Sequence, residues 1–125
     1  MIKRVYIDTS VFGGYFDAEF EDPTKKFFNV LNTQGITVLV SEILELEIYN
    51  APERIVELYE SLQNFERVEL TQEAKQLAEL YISENVVGRT SMADCQHIAL
   101  ATIYKADVLA SWNFKHIVNL ERIRG

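Results

Sequence analysis

Short apolar runs alternate along this chain with stretches of helical period, and that alternation constrains the fold more than any other feature. Residues 3–8 (KRVYID) and 36–40 (ITVLV) are apolar at their centres, and 108–110 (VLA) and 65–70 (FERVEL) are shorter strand candidates. Between them, 25–32, 42–50, 53–62, 73–84 and the alanine-rich 91–105 have the spacing of helices. Parallel strands need long, usually helical, crossovers, and strands covered on both faces read as continuous apolar runs. The pattern predicts an α/β layer structure with a largely parallel sheet.

The punctuation agrees with this division. Ser41 and Ser91 stand where helix caps are expected, and Thr71 opens the helix before 84. Gln34-Gly35 ends the helix that carries Phe27, Phe28 and Leu31 on one side, and Pro52 suits the first turn of the next helix but one. Phe12-Gly13-Gly14-Tyr15 reads as a turn or an irregular helix start, and DAEFEDP (17–23) as a charged loop. The tail WNFKHIVNLERIRG alternates without a clear period and receives no element.

A chain of 125 residues is the size of one domain, and about 68% of its unfolded surface can be buried at that size. The reading is a single domain over residues 1–125. Cys95 is the one cysteine, so no internal disulfide forms, and the first 14 residues have no signal-peptide core. No apolar run approaches the roughly 18 residues of a membrane helix. These features suit a cytoplasmic protein without a membrane partner. The net charge of −7, from 19 acidic and 12 basic residues, argues against a broad basic surface for nucleic acid. It leaves open an enzyme that meets a phosphodiester through a bound cation, which inverts the electrostatics of an acidic site.

In parallel α/β sheets, ligands bind outside the carboxyl ends of the strands. Asp8 follows Val5-Tyr6-Ile7 at such an end, Ser41 lies at a second, and Ser111, Trp112 and Asn113 at a third. A carboxylate there is costly unless something pairs with it. Asp8 is either a turn former accepting the amides of Ser10 or Val11, or a metal ligand with a short stem and hard oxygens. Glu42, Glu45 and Glu47 crowd the helix after the second strand. Glu42 suits the helix dipole, Glu45 is expected to face solvent, and Glu47 borders the apolar stripe. Spacing does not decide between Glu45 and Glu47. Asp94 has capping-box spacing from Ser91 and also lies one turn from His97, next to the core. Asp107 precedes a strand and belongs at the other end of the sheet. Cys95 and His97 are two apart on a helix and point to different sides, a poor zinc pair.

Four segments together resemble the PIN domain, of the kind found in VapC-like toxins of bacterial toxin–antitoxin pairs. They are VYIDTSVF, SEILELEIYNAPE, SMADCQHIALA and VLASWNF, in that order, and they span nearly the whole chain. The resemblance implies a three-layer fold with a central, mostly parallel four- or five-stranded sheet flanked by helices. It matches Asp8, Glu47 and Asp94 to the family's acidic positions, with His97 beside Asp94, and favours Glu47 over Glu45. It implies an Mg2+- or Mn2+-dependent endoribonuclease with an RNA substrate, a cognate antitoxin and a homodimeric state. Asp8, Asp94 and Glu47 would be the metal-binding residues. Ser10, Ser111 and Asn113 would orient phosphate or the ligands. Arg89, Lys115 and His116 are candidates for phosphate contacts near the cleft, and each taken singly is read first as a solvated loop charge.

The chain departs from the family in two places. Asn113 stands where many members carry a further aspartate, and asparagine lacks the charge. The chain also ends at Gly125, where relatives commonly continue into an edge strand, so the domain is read as lacking that strand or as cut before it. The alternative these departures support is a catalytically weak PIN-fold protein that binds or regulates through protein–protein contacts.

Overall fold

The structure is a computed structural model that describes residues 2–84 and 92–112, with the backbone of a further strand at 116–119. Five strands form one sheet: β1 (Arg4–Ile7), β2 (Thr37–Ser41), β3 (Phe65–Val68), β4 (Val108–Ser111) and β5 (His116–Asn119), in the order β3-β2-β1-β4-β5. The first four are parallel. Val5 pairs with Val38 on one side and Val108 on the other. β5 runs antiparallel to β4, with Ser111 opposite His116. The largely parallel sheet expected from the alternation is therefore present, with the larger of the two strand counts that the family resemblance implies. An antiparallel edge strand lies in the tail to which the sequence assigned no element.

Six helices connect the strands among the described residues: α1 (Thr9–Gly14), α2 (Glu21–Thr33), α3 (Glu42–Tyr49), α4 (Glu53–Glu60), α5 (Gln72–Ser83) and α6 (Met92–Ile103). Among these residues no helix is long and apolar enough to cross a membrane. Strand alternation divides the core into two layers. Val5 and Ile7 of β1, with Val38 and Val40 of β2, face Phe12, Phe28, Leu31, Leu44, Ile48 and Tyr59 from α1 to α4. Tyr6, Leu39 and Leu109 point the other way, onto Ala74, Ala78 and Tyr81 of α5 and Cys95, Ile98 and Ala99 of α6. This is the helix–sheet–helix arrangement that a sheet apolar on both faces requires.

The caps explain most helix boundaries. Ser41 Oγ accepts the Leu44 amide at 3.0 Å and Thr71 Oγ1 that of Ala74 at 3.1 Å. α2 ends at Gln34, and Gly35 follows with φ of +63°, a left-handed position suited to glycine. Two local expectations are corrected. The segment read as a turn at 12–15 is the end of helix α1. The charged loop at 17–23 already contains the start of α2: Glu21 and Asp22 favour a helix N-terminus through the dipole, and the missing amide of Pro23 costs nothing in a first turn. Pro52 stands one position earlier than expected, as the N-cap of α4. Ser91, the expected cap of α6, lies outside the described residues.

Candidate active site at the carboxyl ends of β1 and β4

β1 delivers Asp8 to its carboxyl end with extended backbone, φ −93° and ψ 156°, so the pleat continues through it. Asp8 therefore projects to the same face as Tyr6. It is the N-cap of α1 by position, yet its carboxylate makes no capping bond to the helix amides. Its Oδ2 instead accepts the Ser111 hydroxyl at 2.6 Å and the Ser10 hydroxyl at 3.3 Å. Ser10 Oγ in turn accepts the Trp112 amide at 2.9 Å. The residue is buried, with 4% of its surface exposed. Adjacent parallel strands β1 and β4 thus supply a carboxylate and the hydroxyl that fixes it.

The other oxygen of Asp8 faces a histidine. His97 Nε2 stands 3.6 Å from Asp8 Oδ1 and 3.8 Å from Glu47 Oε1. His97 is buried on α6, and its Nδ1 meets the Tyr6 hydroxyl at 2.6 Å. Burial pushes the Tyr6 phenol well above its usual range. A side-chain hydrogen bond with Ser41 opposes the shift, and the nearby Asp8 and Glu47 carboxylates add to it. Asp94 lies in the first turn of α6, half-buried and three residues before His97, hence on the same face of that helix.

Of the three acidic residues on α3, Glu47 is the one that approaches His97, the histidine that Asp8 also faces. Glu45 accepts the Tyr59 hydroxyl at 2.7 Å and the Arg67 guanidinium at 2.8 Å, with only 17% of its side chain exposed. The expectation that Glu45 faces solvent is corrected, because Arg67 of β3 and Tyr59 of α4 close over it. Burial and then the Glu45 contact push the Tyr59 phenol up. Glu42 accepts the Leu70 amide at 2.8 Å. An open depression of about 460 Å³ is lined by Glu42, Glu45, Leu46, Tyr49, Asn50 and Arg67, and not by Asp8 or Glu47. Asp107, at the opposite end of the sheet as expected, accepts the Lys3 and Arg4 amides at 2.9 Å each. Arg89, Asn113, Lys115 and the side chain of His116 lie outside the described residues.

Trp112 was placed at a strand end by the sequence, but its role was not readable there. Its indole stacks on Phe20 with ring centres 5.2 Å apart, and its Nε1 donates to Thr24 Oγ1 at 2.9 Å. Gly14 makes room for it. A Cβ there would stand 2.6 Å from the indole and 2.9 Å from Thr24 Oγ1. Tyr6 was missed, although its two-residue spacing from Asp8 on one strand places both on one face.

A PIN domain family model matches residues 5–115. The chain belongs to the PIN domain family. No curated protein matches the sequence. Among solved structures, the chain is similar to the Mycobacterium tuberculosis VapC20 toxin, described as sarcin–ricin loop cleaving. The TM-score is 0.64 and the identity 13%, over 84% of this chain and 86% of that one. It is also similar to VapBC2 from Rickettsia felis bound to a DNA fragment from their promoter, with a TM-score of 0.63 and 13% identity over 90% and 89% of the two chains.

Asp8, Glu47 and Asp94 are hard oxygen donors of the type a divalent Mg2+ or Mn2+ takes. Two of them, Asp8 and Glu47, converge on one imidazole. Among the described residues, no three His, Cys, Asp or Glu side chains stand close enough together to form an ion cage. The donors fit such a cation in chemistry, on a PIN fold, without enclosing it. The same finding applies to zinc. Cys95 is buried with the α5–α6 layer, while His97 is engaged by Tyr6.

Proposed function

We propose that this chain is a divalent-metal-dependent endoribonuclease of the VapC type, acting as the toxin of a toxin–antitoxin pair. The observation that carries the reading is the placement of Asp8. It is a buried carboxylate at the carboxyl end of a central parallel strand, with one oxygen fixed by Ser111 and the other facing His97, which Glu47 also approaches. A structural aspartate at a helix start would cap the helix amides, and this one does not. The two similar structures, a VapC toxin and a VapBC pair, support the biological setting.

Asp8, Asp94 and Glu47 are the residues that would hold Mg2+ or Mn2+. A bound divalent cation would supply a water of lowered pKa and neutralise charge growing on the phosphate oxygens. Ser111 and Ser10 hold one Asp8 oxygen, and the other faces His97. Glu47, with 48% of its side chain exposed, is open to solvent and would either bind the ion or receive the proton of the attacking water. Ser10 and Asn113 orient the phosphate, helped by Arg89, Lys115 and His116. A small basic patch of this kind offsets the net charge of −7 for one RNA strand. The protein is read as cytoplasmic and homodimeric, as its family resemblance implies.

A second reading rests on the incomplete enclosure of a cation by the described side chains. In it the chain retains the fold and acts through protein contacts, binding an antitoxin without cleaving RNA. One experiment separates the two: Mn2+ titration by calorimetry, and cleavage of matched RNA and DNA oligomers, with the parent, Asp8→Asn and Asp94→Asn. The nuclease reading expects saturable binding and RNA cleavage in the parent, both lost in the two variants and on adding chelator. A folded parent that binds no Mn2+ and leaves RNA intact would overturn it.

A further inference from the structure

We propose that His97 is a positioning residue of this site, clamped at Nδ1 by Tyr6 so that its Nε2–H stands between Asp8 and Glu47 and sets where the two carboxylates lie. The purpose rests on the nuclease reading, but the geometry does not.

Two independent lines give the same tautomer. The first runs through the Tyr6 hydroxyl. A phenol O–H is the stronger donor and an imidazole nitrogen the stronger acceptor, so the short Tyr6–His97 contact favours the hydroxyl as donor. Tyr6, a phenol protonated at neutral pH, then donates to His97 Nδ1 at 2.6 Å. With Nδ1 accepting, a neutral imidazole carries its hydrogen on Nε2. The second line is electrostatic. Nε2 faces carboxylate oxygens at 3.6 Å and 3.8 Å, where a lone pair would be repelled and an N–H attracted. Both distances exceed hydrogen-bond range. The N–H therefore favours neither carboxylate and acts on both as the positive end of a dipole.

The arrangement links three separate elements. Asp8 comes from β1, Glu47 from α3 and His97 from α6. Tyr6 lies on β1, two residues before Asp8, so one strand carries both the carboxylate and the hydroxyl that holds the ring facing it. A histidine present only for packing would need neither the Tyr6 hydroxyl at one nitrogen nor two carboxylates facing the other. The ring also meets Tyr6 edge-on, at 5.6 Å between centres and 61° between planes, which restricts its rotation.

The test is long-range 1H–15N NMR of the metal-free protein, followed by Mg2+ calorimetry on the parent, His97→Gln, His97→Leu and Tyr6→Phe. The parent is expected to show His97 as the Nε2–H tautomer, and Tyr6→Phe to lose that single signature. His97→Gln keeps an N–H near the position of Nε2 and is expected to bind Mg2+ within a few-fold of the parent. His97→Leu is expected to lose about 10–100-fold, as residues that orient ligands do. An Nδ1–H tautomer in the parent would overturn the proposal, as would unchanged Mg2+ affinity in a folded His97→Leu protein. If His97→Leu does not fold, a His97→Gln protein that binds as weakly as Asp8→Asn overturns it instead. A parent that shows the expected tautomer, lost in Tyr6→Phe, but binds no Mg2+ supports the clamp and sinks the metal reading alone.

Discussion

Gly13 and Gly14 are neighbours in one short helix, and the structure assigns their alanine substitutions opposite signs. A Cβ on Gly13 meets nothing within 4 Å, whereas one on Gly14 meets the Trp112 indole at 2.6 Å and Thr24 Oγ1 at 2.9 Å. Neither neighbour is free to give way. The indole is stacked on Phe20 and bonded to Thr24, and Thr24 is fully buried with its hydroxyl bonded to the Phe20 carbonyl at 2.6 Å. Forcing a methyl into such a site costs about 1–3 kcal/mol. Breaking the Trp112–Thr24 bond adds about 0.5–1.5 kcal/mol, and the gain of alanine over glycine in a helix returns at most about 1 kcal/mol. Gly14→Ala is therefore expected to lose about 2 kcal/mol, and Gly13→Ala to gain up to about 1 kcal/mol. Urea unfolding read by tryptophan emission measures both, and Trp112, the only tryptophan, reports the displaced ring itself. The Trp112 amide donates to Ser10, so Gly14→Ala should also loosen the hydroxyls that hold Asp8 and weaken Mn2+ binding. Equal stability of the two variants, with unshifted emission, would refute the reasoning.

Two further outcomes follow from the same coordinates. Glu47→Gln should abolish RNA cleavage, whereas Glu45→Gln should leave it intact and cost under about 1 kcal/mol, because the Glu45–Arg67 pair is half exposed; equal activity loss in the two variants would reverse the assignment on α3. Tyr6 holds its proton more tightly in the folded chain than at its ordinary value of 10.0, chiefly through burial. The unfolded state then loses the proton first as pH rises, and stability present below about pH 10 declines above it by about 1.4 kcal/mol per pH unit for this one group. Urea midpoints above that pH should fall more steeply for the parent than for Tyr6→Phe, and parallel slopes would rule the linkage out.

Much of this was legible before any coordinates, for definite reasons. The runs 36–40 and 108–110 are apolar except at Thr37 because their strands are covered on both faces, so a parallel sheet was readable from the pattern of the runs. Ser41 and Thr71 act locally, through an amide three residues away, and sequence shows local interactions well. Asp8 was suspect because a charge beside three apolar residues needs a partner. The partner itself was not readable. Ser111 is 103 positions away, and only strand pairing brings it to 2.6 Å. The choice between Glu45 and Glu47 depended on Arg67 and Tyr59, which arrive from a strand and a helix much later in the chain. β5 escaped notice because HIVN is four residues long and its neighbour in the sheet is fixed by β4 rather than by its own pattern.

The two helical layers differ in a way that bears on how the site can respond to what it binds. Behind α6 the packing is richer in alanine, with Ala74 and Ala78 on α5 and Ala99 and Ala101 on α6 set among Tyr81, Ile98 and Leu100. Alanine has no side-chain torsion to rotate, so that layer has few alternative packings. Across the sheet, Phe12, Phe28, Leu31 and Tyr59 fill the space with side chains that have torsions to change. Asp94 and His97 thus stand on a stiff wall, and Glu47 on a compliant one. Any adjustment of the site to the width of a nucleic-acid strand is expected to come from α3, which would swing Glu47 while the ring of His97 stays still as the fixed point.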